Sequence, residues 1–217
     1  VAARLAEVER QQLRTFAVHF GENYPNELQF AKQVADFCHT DHEEVLIQPK
    51  DFVPRLRKIV WAMDEPVGDP VSMPNFELAA HVSRAGFDRV FNGEGGDPCF
   101  GGPKNLPMML GHWYGGQDFS PGFRERAYLE SYRRAYEEID QLLTPDFQPE
   151  SGALEGILTP FFDSDRHDTF LNRLLETNMR LKGAHLILPK VERMLGHSRM
   201  MPLSPLFDER LMKLAFQ

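Results

Sequence analysis

Cysteine is scarce: Cys38 and Cys99 are the only two among 217 residues. Two thiols do not make a disulfide framework, so a reducing cytoplasm is the expected home. Basic residues are also short, 24 Lys and Arg against 32 Asp and Glu, for a net charge of −8. That balance argues against a general electrostatic grip on nucleic acid or an anionic membrane, while leaving room for a local basic pocket. No apolar run is long enough to span a bilayer, and Val1 opens no secretory leader pattern. Internal repeats and low-complexity tracts are missing too. What is present is ordinary for a globular fold, with 42% hydrophobic and 26% charged residues. The length suits one domain, or one domain with a helical extension. Both ends fall within apparent helices, "VAARLAEVERQQ" and "FDERLMKLAFQ", which predicts that the chain is part of a longer protein.

The first hundred residues alternate between helix and strand patterns. "LRTFAVHF", Leu13 to Phe20, reads as a strand, and "LQFAKQVADFC" places Leu28, Ala31, Val34, Ala35 and Cys38 at helical spacing. "HEEVLIQ" is a second strand, and "PKDFVPRLRKIVWAM" a helix with Pro54 in its first turn. The proline-rich loop "DEPVGDPVSMP" precedes a helix over "NFELAAHVSRAGF" that Gly86 ends. "DRVFN", Asp88 to Asn92, is the third strand. This order predicts an α/β fold, a parallel sheet with helices packed on it. Beyond about residue 103 the strand signals stop. "GFRERAYLESYRRAYEEIDQLL" reads as one long polar helix with Tyr128, Tyr132 and Tyr136 as a packing stripe. "ESGALEGILTPFFDSD" reads as looser chain, and "DTFLNRLLETNMRLKGAHLIL" and "KVERMLGHSRMM" as helices.

The third strand runs into "FNGEGGDPCFGG", five glycines around Glu94 and Asp97. A plain turn needs one or two glycines. Five suit backbone that must come close to a ligand, and ligands of open parallel sheets bind beyond the carboxyl ends of the strands. An acidic surface turn is the plain alternative.

The wider stretch "DEPVGDPVSMPNFELAAHVSRAGFDRVFNGEGGDPCFGG" resembles the synthetase domain of the asparagine synthetase family, of the ATP pyrophosphatase type. Asp64, Glu65, Pro66, Asp69, Pro74, Leu78, Gly93, Glu94, Gly95, Asp97, Phe100, Gly101 and Gly102 keep the family pattern DEP-x-x-D … G-E-G-x-D-E-x-F-G-G. "RTFAVHFGENYPNELQFAKQVADFCHTDHEE" is similar to the family's strand, loop and helix. "LPKVERMLGHSRMMPLSPLFDERLMKLA" resembles its V-K-V-D-R-M … P-F-L-D stretch through Lys190, Val191, Arg193, Met194, Pro205 and Asp208. The resemblance covers Leu13 to about Asn105 and Lys190 to Gln217. It implies a Rossmann-like, adenine nucleotide alpha hydrolase-like sheet, with 1–105 as the α/β nucleotide-binding part and 106–217 as a helical part of a single synthetase domain. Five positions depart from the pattern, two of them Pro103 and Lys104, where the family usually has tyrosine or another polar residue. The family glutamate after the loop aspartate is Pro98, and the family Glu and Arg before P-F-L-D are Met201 and Leu203. These changes bear on the acceptor more than on the nucleotide. The family's S-G-G-x-D-S loop, its distal catalytic lysine and its glutaminase domain are expected in chain outside this sequence.

The resemblance also implies chemistry. The family activates the aspartate side chain with ATP, releasing pyrophosphate, and ammonia attacks the adenylate. Such a reaction needs backbone close to phosphate, Mg²⁺ against its charge, and a base for the amine. Asp97 would hold Mg²⁺ and Glu94 would act as base or proton relay. Asn92 and Gly93 would touch ATP through their backbone, and Val18 would meet the adenine edge. The partners implied are ATP, a small carboxylic acid such as aspartate, and ammonia or a glutamine donor, with monomer and homodimer both open. Asp64, Glu65 and Asp69 read equally as pocket lining and as turn formers, and Lys190 and Arg193 as phosphate contacts or ion pairs. Cys38, His39 and His42 have metal-ligand spacing, but zinc sites take four ligands and no partner pair is evident. A related ligase on another acid, such as a β-lactam synthetase or peptide cyclase, is the alternative that Met201 and Leu203 favour. A non-catalytic scaffold that has lost the pyrophosphate loop is the alternative of another class.

Overall fold

The computed structural model describes residues 1–9, 11–65, 69–103, 105–114, 121–132 and 136–217. Pro66 of the acidic loop, Lys104, and residues 133–135 of the expected long helix lie outside these. Among the described residues the fold is α/β with mostly helical content. The chain divides into two units, Val1–Gly93 with Leu186–Pro205, and Glu94–His185 with Leu206–Gln217.

The first unit opens with α1, Ala2–Val8, and β1, Arg14–His19. Helix α2, Leu28–Cys38, keeps the bounds that its apolar spacing predicts, and His39 ends it in the left-handed region at φ 52. Strand β2, Asp41–Leu46, pairs parallel to β1 from Arg14↔Asp41 to His19↔Leu46. A 3₁₀ turn, Pro49–Asp51, leads into α3, Phe52–Met63, where Pro54 sits in the first turn and so removes no helical donor. Helix α4, Ser72–Arg84, starts three residues earlier than Asn75. Asp69 Oδ1 accepts from the Val71 N–H at 3.0 Å, which satisfies a donor at the turn leading into α4 and lets Pro74 fall in its first turn. Strand β3, Arg89–Phe91, follows.

The second unit runs through α5, Gly96–Phe100, α6, Asn105–Tyr114, and α7, Phe123–Glu130. It continues with α8, Ile139–Leu142, α9, Ala153–Phe162, and α10, Phe170–Thr177. A π-helical stretch, Asn178–Ile187, hands the chain to α11, Leu188–His197, and β4, Met201–Leu203, in the first unit. Helix α12, Glu209–Ala215, closes the second.

One expectation is met in reduced form and three are corrected. The parallel pairing is there, but as two separate ladders, β1–β2 and β3–β4, among the described residues. Strand β4 itself was not expected. It has three residues and a proline, and it exists by pairing with β3 from Arg89↔Met201 to Phe91↔Leu203. The long polar helix is broken. Helix α7 stops at Glu130 and the chain tightens through i→i−3 bonds, Ser131 N–H to Tyr128 O at 3.0 Å and Tyr132 N–H to Leu129 O at 2.8 Å. The stretch read as loose holds α9, whose Leu158 and Phe162 are buried one turn apart in spite of Pro160.

Each unit has its own core. In the first, Ile47, Ile59, Met63, Met73, Phe76 and Met194 pack together, with Val18 against them. In the second, Met108, Met109, Tyr128, Leu158, Phe162, Phe170 and Leu174 do so. Burying a side chain of this size fully contributes about 1.5–3 kcal/mol.

Candidate functional site

The glycine loop leaves the carboxyl end of β3. The Asn92 N–H donates to Leu203 O at 3.0 Å, and Asn92 Nδ2 donates to Ser204 Oγ at 2.9 Å. Gly93 is exposed, and Glu94 is half-buried. The chain passes from the first unit to the second between these two residues. Gly95 has φ +103, and a Cβ there would lie 2.9 Å from the Phe207 ring, so both backbone and packing require glycine. Helix α5 then brings Asp97 into its first turn. The Asp97 side chain lies over Gly102, where a Cβ would come within 2.6 Å of its Cγ. Asp97 Oδ2 is 3.9 Å from Lys182 Nζ. So two of the five glycines have a stated steric reason, and one of those reasons is the carboxylate itself.

Val18 lies in β1 opposite Val45, half-buried, and lines an apolar cleft of about 500 Å³ with Phe16, Leu28, Ala31 and Ala35. Val18, Asn92 and Gly93 belong to the first unit, Glu94 and Asp97 to the second.

The other acidic and basic candidates pair with one another in the first unit. Lys190, 5% exposed, donates to Asp69 Oδ2 at 2.8 Å. Arg193 pairs with Glu65 at 3.1 Å and also donates to Met63 O. Asp64 ends α3 in the left-handed region at φ 60. His42 Nδ1 meets Thr15 Oγ1 at 2.9 Å. Among the described residues no three His, Cys, Asp or Glu side chains stand where they could hold a metal.

Around Asp97 the second unit holds residues that the sequence did not single out. The Tyr128 hydroxyl donates to Asn178 Oδ1 at 3.0 Å, and Asn178 Nδ2 donates to Asn105 Oδ1 at 3.0 Å. Burial, then the Tyr132 hydroxyl beside it, pushes the Tyr128 phenol far above its ordinary range, which keeps it a neutral donor. No local pattern marks Asn105, Asn178 or Lys182. Their roles arise from contacts far apart in the chain.

The sequence as a whole, residues 1–217, matches the family model described as asparagine synthase. The chain belongs to the asparagine synthase family. Among curated relatives, the asparagine synthetase (glutamine-hydrolyzing) 1 of Bacillus subtilis strain 168 is 34% identical over 94 residues, 42% of this chain and 14% of that protein. A Methanocaldococcus jannaschii protein assigned to the same kind of synthetase is 33% identical over 91 residues, 42% of this chain and 17% of its own length. One from Schizosaccharomyces pombe, assigned likewise, is 27% identical over 175 residues, 79% of this chain and 29% of its own. The matched part of the chain thus spans less than a third of each of these relatives. No helix among the described residues is long and apolar enough to cross a membrane.

Proposed function

We propose that the protein containing this chain is an ATP-dependent amide-forming ligase that adenylates the side-chain carboxylate of aspartate. Ammonia, from glutamine as in the names of the relatives, then gives asparagine, AMP and pyrophosphate. The observation that carries this reading is the loop of the family pattern at the end of a parallel strand, with Asp97 laid down on Gly102. In this reading Asn92 and Gly93 offer backbone to the nucleotide, and Val18 offers apolar surface to the adenine. Glu94 takes or relays the proton of the incoming amine.

A single exposed carboxylate suits Mg²⁺. That ion keeps several waters and is bound through one or two carboxylates plus substrate phosphates, not by an all-protein cage. Asp97 would hold it, and the bound ion would offset the charge of the departing pyrophosphate. The exposure of the Asp97 side chain, 60%, leaves room for that arrival.

A second reading keeps the reaction and changes the acid. Leu203 stands where the family carries an arginine, and its carbonyl is held by the Asn92 N–H at 3.0 Å. An apolar side chain there favours an acceptor less charged than aspartate. The experiment is pyrophosphate release from ATP by the full-length protein with a panel of carboxylic acids, plus ammonia or glutamine. Aspartate-dependent release with asparagine as product is expected. Release with another acid alone would move the conclusion to the second reading, and no release with any acid would overturn both.

A further inference from the structure

Lys182 is the cation found beside Asp97, and the way it is held exceeds what a surface ion pair needs. Its side chain is 22% exposed, against 60% for Asp97. It sits on the π-helical stretch Asn178–Ile187. Such wide turns are rare and recur at functional sites. The first residue of the stretch is pinned by the Tyr128–Asn178–Asn105 hydrogen bonds at 3.0 Å each. Asn105 is 8% exposed, and its Nδ2 finds no acceptor among the described residues. Asp97, Asn105, Asn178 and Lys182 line one cavity of about 20 Å³. That is room for a single water. One carboxylate, one ammonium and one unsatisfied amide N–H therefore border the same small space. By itself an ion pair at 3.9 Å with one exposed partner contributes little to stability.

We propose that Lys182 is a phosphate-binding residue, held ready by Asp97. The inference rests on the ligase reading and deepens it. The Asp97–Lys182 pair is neutral. A divalent cation arriving alone would meet the repulsion of the ammonium. A divalent cation carrying pyrophosphate brings an anion with it: the cation takes the Asp97 carboxylate and the Lys182 ammonium turns to the phosphate oxygens. Asn105 Nδ2 supplies a second donor to the same ligand through the cavity water. The site would thus bind the metal–pyrophosphate complex and discriminate against the bare ion.

The test uses inorganic pyrophosphate as probe, titrated calorimetrically into the full-length protein with and without Mg²⁺. Lys182→Met keeps the half-buried stem and removes the charge, and should weaken Mg-pyrophosphate binding by about 10- to 100-fold, the worth of a charge-assisted hydrogen bond. Lys182→Arg should restore most of it, and the melting temperature without ligand should stay near that of wild type. Wild-type affinity in Lys182→Met would overturn the proposal alone. Failure of the wild type to bind Mg-pyrophosphate would overturn the ligase chemistry with it. Should Lys182→Met fold poorly, acylation of Lys182 in the wild type, mapped by mass spectrometry, gives the same answer. Mg-pyrophosphate should protect this lysine and Mg²⁺ alone should not, and equal labelling in both would refute the idea.

Discussion

Gly102→Ala should be among the more harmful small substitutions in the loop, and the structure says why. The new Cβ would fall 2.6 Å from Asp97 Cγ, 2.8 Å from its Oδ2 and 2.9 Å from its Cβ. Rotating the carboxylate relieves the first two contacts but not the third, because Cβ is fixed to the helix backbone. The first turn of α5 must therefore move. Overpacking of this kind costs about 1–3 kcal/mol, which in a protein of this size is roughly 2–12 °C of melting temperature. Gly96→Ala is the internal control. Its Cβ would meet only Leu206 Cδ1 at 3.7 Å, an ordinary contact, and it sits within α5. It should be neutral or stabilising by about 0.4–1 kcal/mol. The assay is thermal melting of both variants in the full-length protein, together with Asp97→Gly and the double variant Asp97→Gly, Gly102→Ala. Without the Asp97 side chain the alanine has room, so its cost should largely disappear. If the two effects instead add within about 0.5 kcal/mol, the two residues are not coupled and the steric account of Gly102 is wrong.

Glu94→Gln should lower amide formation by about 10² to 10⁴ while leaving nucleotide affinity nearly unchanged, since shape is kept and proton transfer is lost. Product assays beside nucleotide titrations separate this from an acidic turn, for which both would stay at wild-type values. Asn178→Leu should destabilise the second unit by about 1–3 kcal/mol through the buried Asn105 amide oxygen it leaves unpaired, the Tyr128 hydroxyl keeping the Tyr132 hydroxyl at 3.4 Å, read as a lower urea midpoint. Alkaline pH gives a separate check. The folded-state pKa of Tyr128 is raised by burial, so its share of stability is complete below the unfolded phenol value of about 10 and is lost as pH rises beyond it. Urea midpoints should therefore drop more steeply above about pH 10 in the wild type than in Tyr128→Phe, and parallel curves would contradict the assignment.

What the sequence discloses of this fold tracks the range of the forces involved. Helix α2 is legible to the residue because its spacing and its left-handed end at His39 are local facts. Strand β4 is not, because "MPL" becomes a strand only through partners more than a hundred positions away. Pro160 and the glycines at Gly152 and Gly156 hide α9, whose burial of Leu158 and Phe162 outweighs their poor propensity. The same division runs through the candidate site. Glu94 and Asp97 stand out by their glycines, although the reasons for Gly95 and Gly102 lie in Phe207 and in Asp97 itself. Lys182, Asn105 and Asn178 carry no pattern at all. The significance of Asn105 and Asn178 lies in a buried polar triad joined across residues 105, 128 and 178, and that of Lys182 in its pairing with Asp97.

Pro98 ties the family departure to the charge balance around Asp97. The family pattern has a glutamate at this position. Here the proline is fully buried, in the first turn of α5, where its missing N–H costs no helical hydrogen bond. A carboxylate in the same environment would need a buried cationic partner or a large desolvation cost, so the substitution suits the packing that surrounds it. The consequence falls on Asp97, which faces Lys182 without the neighbouring acid of the family pattern. A second carboxylate would help draw a divalent cation away from the ammonium. If Asp97 holds the cation as proposed, one carboxylate would retain it better when an anion accompanies it and engages Lys182. Pro98→Glu should therefore raise affinity for Mg²⁺ alone if the protein tolerates the buried acid, and narrow the gap between bare Mg²⁺ and Mg-pyrophosphate. Calorimetric titration of the two ligands into wild type and Pro98→Glu measures that gap directly. An unchanged gap in a folded variant would mean that the family glutamate has no part in cation binding.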